Sequence, residues 1–240
     1  MKKLSVISLL SLMLIGFQST ADENKGLSES TKTNVAQPIT QSPAKSAIEQ
    51  KTVPDNSGQM KSELIAKLAT FSQLSAQFTQ QVFDQEGNML QEGLGEFSLL
   101  KPNLVRWQTN EPDESLIVSD GNTLWFFDPF IEQATAYTLS NAIANTPILL
   151  LTNQEQAMWD NYDVKKQSDD HYLIHALASN SQVKTLELMF TDRVLSGFTI
   201  IDATGQLSKI TLSEQITDGD QVPEDYSFTV PEGVHLDDQR

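Results

Sequence analysis

Residues 93–109 read GLGEFSLLKPNLVRWQT and set the architecture of the whole chain. Two runs of alternating polar and apolar residues flank a Pro-Asn turn. Because successive side chains of a strand point to opposite faces, Phe97 and Leu99 share one face of the first strand. Val105 and Trp107 likewise share one face of the second strand. The stretch therefore predicts two paired strands that present these four side chains on the concave side of a sheet.

Similar runs recur along the chain from residue 76 onward. Turn signals separate them, and three of these signals are short loops with a glycine, at residues 86–88, 120–122 and 203–205. About eleven consecutive short strands predict a mainly β fold in which one antiparallel sheet curls into an unclosed barrel. The predicted strands are Ala76–Phe83, Gly93–Leu100, Leu104–Thr109, Ser115–Val118, Thr123–Phe127, Ala134–Leu139, Tyr162–Lys166, Tyr172–Ala176, Thr185–Phe190, Gly197–Ile201 and Leu207–Ile216.

A short helix is predicted before the first strand. Leu64, Leu68 and Phe71 recur at helical spacing. The pattern begins near Met60 and ends before Gln73. One amphipathic helix at the start of the folded domain follows from this spacing.

A second helix is predicted in the middle of the chain. Asn145 or Thr146 is placed to cap it, and Pro147 takes its first position, where the missing N–H has no helical partner anyway. Its body, Ile148 to Leu151, is four consecutive aliphatic residues and must be buried on more than one side. We expect this helix to form a lid over the mouth of the curved sheet.

Alternation alone does not distinguish a filled core from the wall of a hollow apolar cavity. A packed core is the commoner reason for such a pattern. The runs at 124–127 and 186–190 are apolar at nearly every position, which predicts sheet covered on both faces there. If the barrel is hollow, the following side chains are expected to line its cavity: Phe78, Phe97, Leu99, Val105, Trp107, Leu124, Phe126, Ile148, Leu149 and Leu150.

The first 58 residues predict an exported chain with a linker. After Met1-Lys2-Lys3, Leu4 to Ile15 is an apolar run of twelve residues broken by three serines. This run is too short to cross a bilayer and is typical of a signal peptide, with cleavage expected after Ala21. Residues 22–58 are polar and contain no aromatic residue, which predicts a disordered linker. The folded domain is then expected over residues 59–240.

The composition limits the classes of partner. The formal net charge is −16, and removal of residues 1–21 takes away two lysines and no acid, which moves it to −18. Such a charge disfavours nucleic acid and anionic lipid surfaces and attracts a basic surface on a partner. The absence of cysteine excludes disulfides, thiol chemistry and a lipidated N-terminal cysteine. The exported chain is therefore expected to be soluble.

No pattern in the sequence predicts catalysis, a metal or a cofactor. His171, His175 and His235 are the three histidines. The first two lie in a strand-like segment, where residues four apart stand about 13 Å from each other, too far to bind one metal. Phosphate-binding loops, zinc-protease motifs, hydrolase motifs and calcium loops do not occur. Acidic pairs such as Asp169-Asp170 fit a solvated charged surface. We therefore expect a protein that is not an enzyme and needs no cofactor.

Six short motifs follow one another in a fixed order. They are Gln91-Glu92-Gly93, Lys101 to Trp107, Glu111 to Ser115, Ser119 to Phe130, Asn145-Thr146-Pro147 and Gly233 to Arg240. In this order they closely resemble the outer-membrane lipoprotein carrier family, LolA. The resemblance covers about Met60 to Arg240.

The resemblance implies both a fold and a role. In that family an unclosed antiparallel barrel is capped by helices, and the apolar cavity between them receives the acyl chains of lipoproteins. It implies a monomeric periplasmic carrier that hydrolyses nothing. Its partners would be acylated lipoproteins, an inner-membrane ATP-driven lipoprotein exporter as donor and an outer-membrane lipoprotein receptor as acceptor.

Two features depart from the family pattern. The family typically has arginine at the position of Lys101, where it is thought to bond the lid helix in the closed state. Lysine keeps the charge but lacks the planar fork, so fewer contacts with the carbonyls from Pro147 to Leu150 are expected. An ordinary solvated lysine is the other interpretation. The long segment 22–58 is the second departure.

Other classes share part of this pattern. The outer-membrane receptor of the same pathway requires a lipidated cysteine, which the chain lacks. A periplasmic hydrolase would require a catalytic constellation. A periplasmic lipid- or lipoprotein-sensing regulatory protein of related fold usually carries a second domain, and residues 60–240 suffice for one. That regulatory protein is the alternative interpretation.

Overall fold

A single curved sheet dominates the computed structural model, which describes residues 57–143 and 147–240. In those residues the strands are β1 (Gln73–Phe83), β2 (Met89–Leu100), β3 (Leu104–Glu111), β4 (Ser115–Asp120), β5 (Thr123–Asp128), β6 (Gln133–Thr138), β7 (Tyr162–Ser168), β8 (His171–Ala176), β9 (Val183–Thr191), β10 (Val194–Asp202), β11 (Leu207–Ile216) and β12 (His235–Asp238). Their order is β12-β6-β5-β4-β3-β2-β1-β11-β10-β9-β8-β7. The two end strands, β12 and β7, are not paired with each other, so the barrel is unclosed as predicted.

Short helices pack around this sheet. They are α1 (Ser57–Leu68), α2 (Leu139–Ile143) and α3 (Gln156–Trp159), with 3-10 helices at Pro147–Thr152 and Pro223–Tyr226. We refer to Pro147–Thr152 as the central helix. In the parts of the chain that the structure covers, no helix has the length and apolar character needed to span a membrane.

All eleven predicted strands are confirmed, and one strand was missed. β12 pairs with β6, and this pair is parallel, with His235 opposite Gln133 and Asp238 opposite Ala136. The other neighbouring strands are antiparallel. β12 contains one apolar residue in four and has no alternation, so its sequence gives no strand signal.

The first predicted helix needs correction in its bounds, and the second in its helix type. α1 begins at Ser57, inside the predicted linker, and ends at Leu68. Phe71, predicted on this helix, lies in the connection between α1 and β1, although its side chain is buried. The predicted caps of the second helix, residues 145 and 146, lie outside the described residues, as do residues 1–56. From Pro147 onward the helix is present, but it has 3-10 geometry.

The glycine of the predicted 120–122 turn is required by the backbone. Gly121 has a φ of 93°, a conformation that a residue with a Cβ rarely adopts. The Asp120 carboxylate accepts hydrogen bonds from the backbone N–H of Asn122 at 2.9 Å and of Thr123 at 2.8 Å. It also accepts one from the Trp125 indole at 3.1 Å. This network fixes the β4–β5 turn and therefore the register of the strands on either side.

The C-terminal segment covers part of the outer face of the sheet. Phe228 contacts the outward rings of Trp125 and Phe127, with ring centroids 5.4 and 5.5 Å apart. Arg240 lies over the Trp125 ring at 5.3 Å. Coverage on both faces is thus confirmed for residues 124–127. At residues 186–190 buried and half-buried residues alternate in the same way, and coverage of their outer face stays a prediction.

Candidate functional site

The concave face of the sheet carries one continuous apolar cluster. All ten side chains that the sequence placed there are buried in it together: Phe78, Phe97, Leu99, Val105, Trp107, Leu124, Phe126, Ile148, Leu149 and Leu150. Cross-strand pairing produces this placement, because Phe97 lies opposite Trp107 and Leu99 opposite Val105 in the β2–β3 ladder. Their burial in one cluster is confirmed. Their role in binding a ligand stays a prediction.

Aromatic rings form the centre of the cluster. Trp107 makes edge contacts with Phe78 at 5.3 Å and with Phe198 at 5.5 Å between ring centroids. Phe97 lies 6.1 Å from Trp107 and 5.9 Å from Phe198. Phe198, on β10, was not among the predicted residues. Contacts of this kind hold β2, β3 and β10 together across the concave side.

The protein's own side chains fill the predicted apolar cavity. Ile148 to Leu151 of the central helix reach the sheet side chains, and each of the four is buried. Two recesses among the described residues lie elsewhere. One, of 360 Å³, is a recess on the outer face near Gln77, Arg106 and Glu214. The other, of 430 Å³, lies between Lys101 and Glu155. A ligand can therefore reach the concave face only if the helices move away from it.

Asn153 anchors the central helix to the β2–β3 turn, a contact that the sequence did not reveal. Its amide donates to Asn103 Oδ1 at 2.8 Å. Its backbone carbonyl accepts a hydrogen bond from the Trp159 indole at 3.1 Å, and its Oδ1 accepts one from the Glu155 N–H at 2.7 Å. The helix thus ends in a buried polar junction, while its body is held by apolar packing.

Lys101 contacts a different helix from the one expected. Its ammonium donates to the backbone carbonyls of Leu68 and of Phe71, the latter at 2.8 Å. It also lies 4.1 Å from the centre of the Phe71 ring. The expected contacts with the carbonyls of Pro147 to Leu150 are therefore replaced by contacts with the end of α1. The carbonyls at a helix C-terminus lack intrahelical partners and carry partial negative charge, so they accept the hydrogen bonds of the Lys101 amine.

A cluster of charged side chains holds α1 against the β7–β8 hairpin. Glu63 accepts hydrogen bonds from the Lys166 ammonium at 2.5 Å and from the Tyr172 hydroxyl at 2.8 Å. Lys67 binds the Asp170 carboxylate at 2.6 Å. The hydrogen bond from Lys166, followed by that from Tyr172, lowers the pKa of Glu63. We refer to Glu63, Lys67, Lys166, Asp170 and Tyr172 as the α1 clasp.

Polar side chains of the described residues form no arrangement suited to metal binding. Within residues 57–143 and 147–240, no group of three or more His, Asp or Glu side chains is placed to hold a metal ion. His171 approaches Glu187 at 3.5 Å, and His175 lies 3.0 Å from the Thr185 hydroxyl. The two histidines that lie four apart thus contact different side chains.

Comparison with known proteins assigns the chain to a family. The family model of the outer membrane lipoprotein carrier protein LolA matches residues 69–229. The chain belongs to the LolA family. An outer-membrane lipoprotein carrier protein of Actinobacillus succinogenes is 41% identical over 180 residues, which cover 75% of this chain and 86% of that protein. The outer-membrane lipoprotein carrier protein of Sodalis glossinidius is 42% identical over 178 residues, which cover 74% of this chain and 87% of that protein. The fold is also similar to the crystal structure of a LolA superfamily protein from Nitrosomonas europaea, with a TM-score of 0.43 and 11% sequence identity. That alignment covers 72% of this chain and 97% of the other chain.

The LolA match contains the sheet from β1 to β11 and the central helix. It begins at residue 69, directly after α1, and it ends before β12. The ten predicted concave residues therefore all lie within the matched segment. The charged residues of α1 that contact the β7–β8 hairpin lie before it.

The buried amine of Lys101 predicts an unusual pH dependence in this LolA chain. Burial lowers the pKa of Lys101 to about 8. When α1 moves away and the amine meets water, its pKa returns towards about 10.4, the value of free lysine. At a pH between these two pKa values, the amine is mostly deprotonated in the closed arrangement and mostly protonated in the open one. Raising the pH from about 7 to about 9 therefore favours closure. We expect binding of an apolar fluorescent dye, which reports opening, to fall several-fold over this range.

The Lys101→Arg variant is the matched control for this titration. Arginine keeps its charge throughout the range, so its dye binding should not fall. Between about pH 6 and 7 lysine is protonated in both arrangements, and no change is expected for either protein. Dye binding that rises with pH, or that falls equally in the arginine variant, would contradict the assignment.

Proposed function

We propose that this protein is a periplasmic carrier that binds the acyl chains of lipoproteins released from the inner membrane and delivers them to an outer-membrane receptor. The observation that carries the proposal is the apolar cluster on the concave face, which is covered by α1 and the central helix. The names of its relatives in the LolA family support the same role. Among the described residues, we place the acyl chains in this cluster.

A carrier is needed because acyl chains do not cross water unaided. Three long chains contain on the order of 45 methylenes, and each contributes about 0.8 kcal/mol when it is removed from water. Exposing such a group to the periplasm would cost tens of kcal/mol. Spontaneous transfer between the two membranes is therefore negligible. A carrier that holds the acyl chains in an apolar site avoids this cost of exposing them to water.

The contacts of α1 are weak enough to open. Leu64 and Leu68 are its two fully buried side chains, and exposing them costs about 3 to 6 kcal/mol in total. The ion pairs of the α1 clasp are near the surface, where water and salt screen them. The gain from burying acyl chains, tens of kcal/mol relative to water, exceeds the cost of exposing these two leucines several times. A ligand thus stabilises the open arrangement by binding to it alone.

The partners and location follow from the same proposal. An inner-membrane ATP-driven lipoprotein exporter loads the carrier, and an outer-membrane lipoprotein receptor unloads it. The carrier acts as a monomer in the periplasm, with residues 1–21 serving as a signal peptide and the residues from 22 up to α1 as a linker. Its strong negative charge favours basic docking surfaces on both partners. Unloading requires a receptor site that is at least as favourable as the concave cluster.

Release of a lipoprotein from inner-membrane vesicles tests the proposal. Vesicles that contain the exporter and a labelled triacylated lipoprotein are supplied with ATP and with the chain starting at Asp22. We expect the label to appear in the soluble fraction in a 1:1 complex, detected by native mass spectrometry. The control is the same lipoprotein with its acylated cysteine replaced by serine, which should not form the complex. Equal complex formation by both lipoproteins, or equal release without the carrier, would refute the proposal.

A further inference from the structure

Gln80 interrupts the apolar inward face of β1. The burial pattern of this strand alternates, and its inward positions at Leu74, Ala76, Phe78 and Val82 are apolar. Gln80 occupies the inward position between Phe78 and Val82, and only 4% of its surface is exposed. A polar amide therefore stands in the apolar wall, beside one of the predicted cavity residues.

The nitrogen of the Gln80 amide has no hydrogen-bond partner within the described residues. Its Nε2 atom is fully buried and unpaired. Its ladder partners on the same face are Gly93 on β2 and Ile210 on β11, and neither carries a side-chain acceptor. A buried amide N–H without a partner is unfavourable, so an apolar residue would stabilise the empty protein better.

The polar character of the wall at this point extends to β11. Ser208 also faces inward, is buried, and lies opposite Val82. It is a diagonal neighbour of Gln80 across the β1–β11 ladder, at a spacing of about 7–8 Å. The wall thus combines apolar surface for hydrocarbon with a small polar spot that contains an available donor.

The chemistry of an acyl chain supplies the missing partner. A hydrocarbon tail has no polar atom, but the ester or amide bond that attaches it has a carbonyl oxygen, which accepts hydrogen bonds and does not donate them. The Gln80 amide offers the complementary N–H. We propose that Gln80 donates a hydrogen bond to the carbonyl of an ester- or amide-linked acyl chain and so makes the site specific for acyl groups over plain hydrocarbon. This inference rests on the proposed function, since it requires the acyl chains to enter the concave face.

A cycle of two proteins and two ligands tests the assignment. The ligands are a diacylated lipopeptide with ester-linked chains and its analogue with ether-linked chains of the same length. The proteins are the unaltered chain and Gln80→Leu. We expect the unaltered chain to bind the ester ligand roughly fivefold more tightly than the ether ligand, a typical net effect of one hydrogen bond. Gln80→Leu should bind both with equal affinity, close to that of the unaltered chain for the ether.

Controls separate this specificity from a structural effect. Thr79→Val alters the next residue along β1, which is exposed on the opposite face, and it should keep the ester preference. The thermal midpoint of Gln80→Leu should be unchanged or higher, because the unpaired amide is gone. If leucine packs badly at this position, Gln80→Met provides an apolar side chain of similar length with more freedom. An ester preference that survives in a folded Gln80 variant, or an equal loss of both ligands, would overturn the proposal.

One further ligand identifies the source of the acyl group. The pattern of binding also shows whether the carrier function or only the Gln80 assignment fails. A glycerophospholipid with the same ester chains is run beside the lipopeptide. A Gln80-dependent preference for both ligands assigns the contact to acyl esters in general, and a preference for the lipopeptide alone assigns it to lipoproteins. If the unaltered chain binds neither ester nor ether, the proposed carrier function fails. If it binds both equally, only the Gln80 assignment fails.

Discussion

Cross-linking α1 to β7 is expected to abolish lipoprotein uptake. Glu63→Cys and Lys166→Cys place one thiol on each element, at positions whose side chains now meet at 2.5 Å. A short cleavable bismaleimide then joins them, and no other cysteine in the chain competes for the reagent. Leu64 and Leu68 of α1 are buried in the same cluster as the predicted cavity residues, so we expect a fixed α1 to keep acyl chains out. We expect lipoprotein release from vesicles to fall more than about a hundredfold, equivalent to about 2.7 kcal/mol.

The same molecule provides the control for this experiment. Reductive cleavage of the cross-linker should restore release to the level of the double variant before treatment. Each single cysteine variant, treated with the same reagent, should remain active, because loss of an ion pair near the surface costs little. Normal release by the cross-linked protein would mean that acyl chains enter without movement of α1 away from β7.

The Val105→Glu change is expected to destabilise the protein severely. Val105 is buried between Leu99 on β2 and Ser119 on β4, and it belongs to a cluster made of apolar side chains. A carboxylate there is desolvated without a cationic partner, which costs about 3–5 kcal/mol of the free energy of unfolding. Urea denaturation of the unliganded protein measures this loss, and the thermal midpoint should fall with it.

Thr79→Glu is the matched control for the Val105 variant. It introduces the same side chain on the exposed face of β1, where surface substitutions change stability by about 0.5 kcal/mol or less. A near-normal midpoint for Val105→Glu together with failed lipoprotein release would contradict the filled interior. That result would mean that the concave face is open to water before any ligand binds.

Strand positions could be predicted because alternation is a local property of the backbone. A run such as residues 104–109 shows which of its side chains share a face, whatever strand it pairs with. For the same reason the predicted concave residues are found together. Phe198 was missed because a register shift between Leu195 and Gly197 disturbs the alternation of β10, and Gly197 to Ile200 are all buried.

The contacts of charged and polar side chains could not be predicted in this way. Lys101 follows β2 directly, and its sequence neighbours do not indicate that the end of α1 lies within reach. Asn153 reaches Asn103, fifty positions away in the chain. Gln80 did carry a signal, since it is a polar residue at an inward position of an alternating strand. The sequence could not show that the amide lacks a partner, because that depends on β2 and β11 beside it.

By itself the sequence determined eleven of the twelve described strands, most of their inward faces, the tight turns and the LolA family, because these depend on side-chain periodicity, glycine conformation and ordered motifs. The tertiary structure alone decided the parallel pairing of β12 with β6, the attachment of Lys101 to α1 and the filling of the concave face by the protein's own side chains. Each of these depends on segments that are distant in the chain and meet only after folding. Alternation along one strand is the same for a packed core and a cavity wall, and the helices that cover the strand distinguish the two.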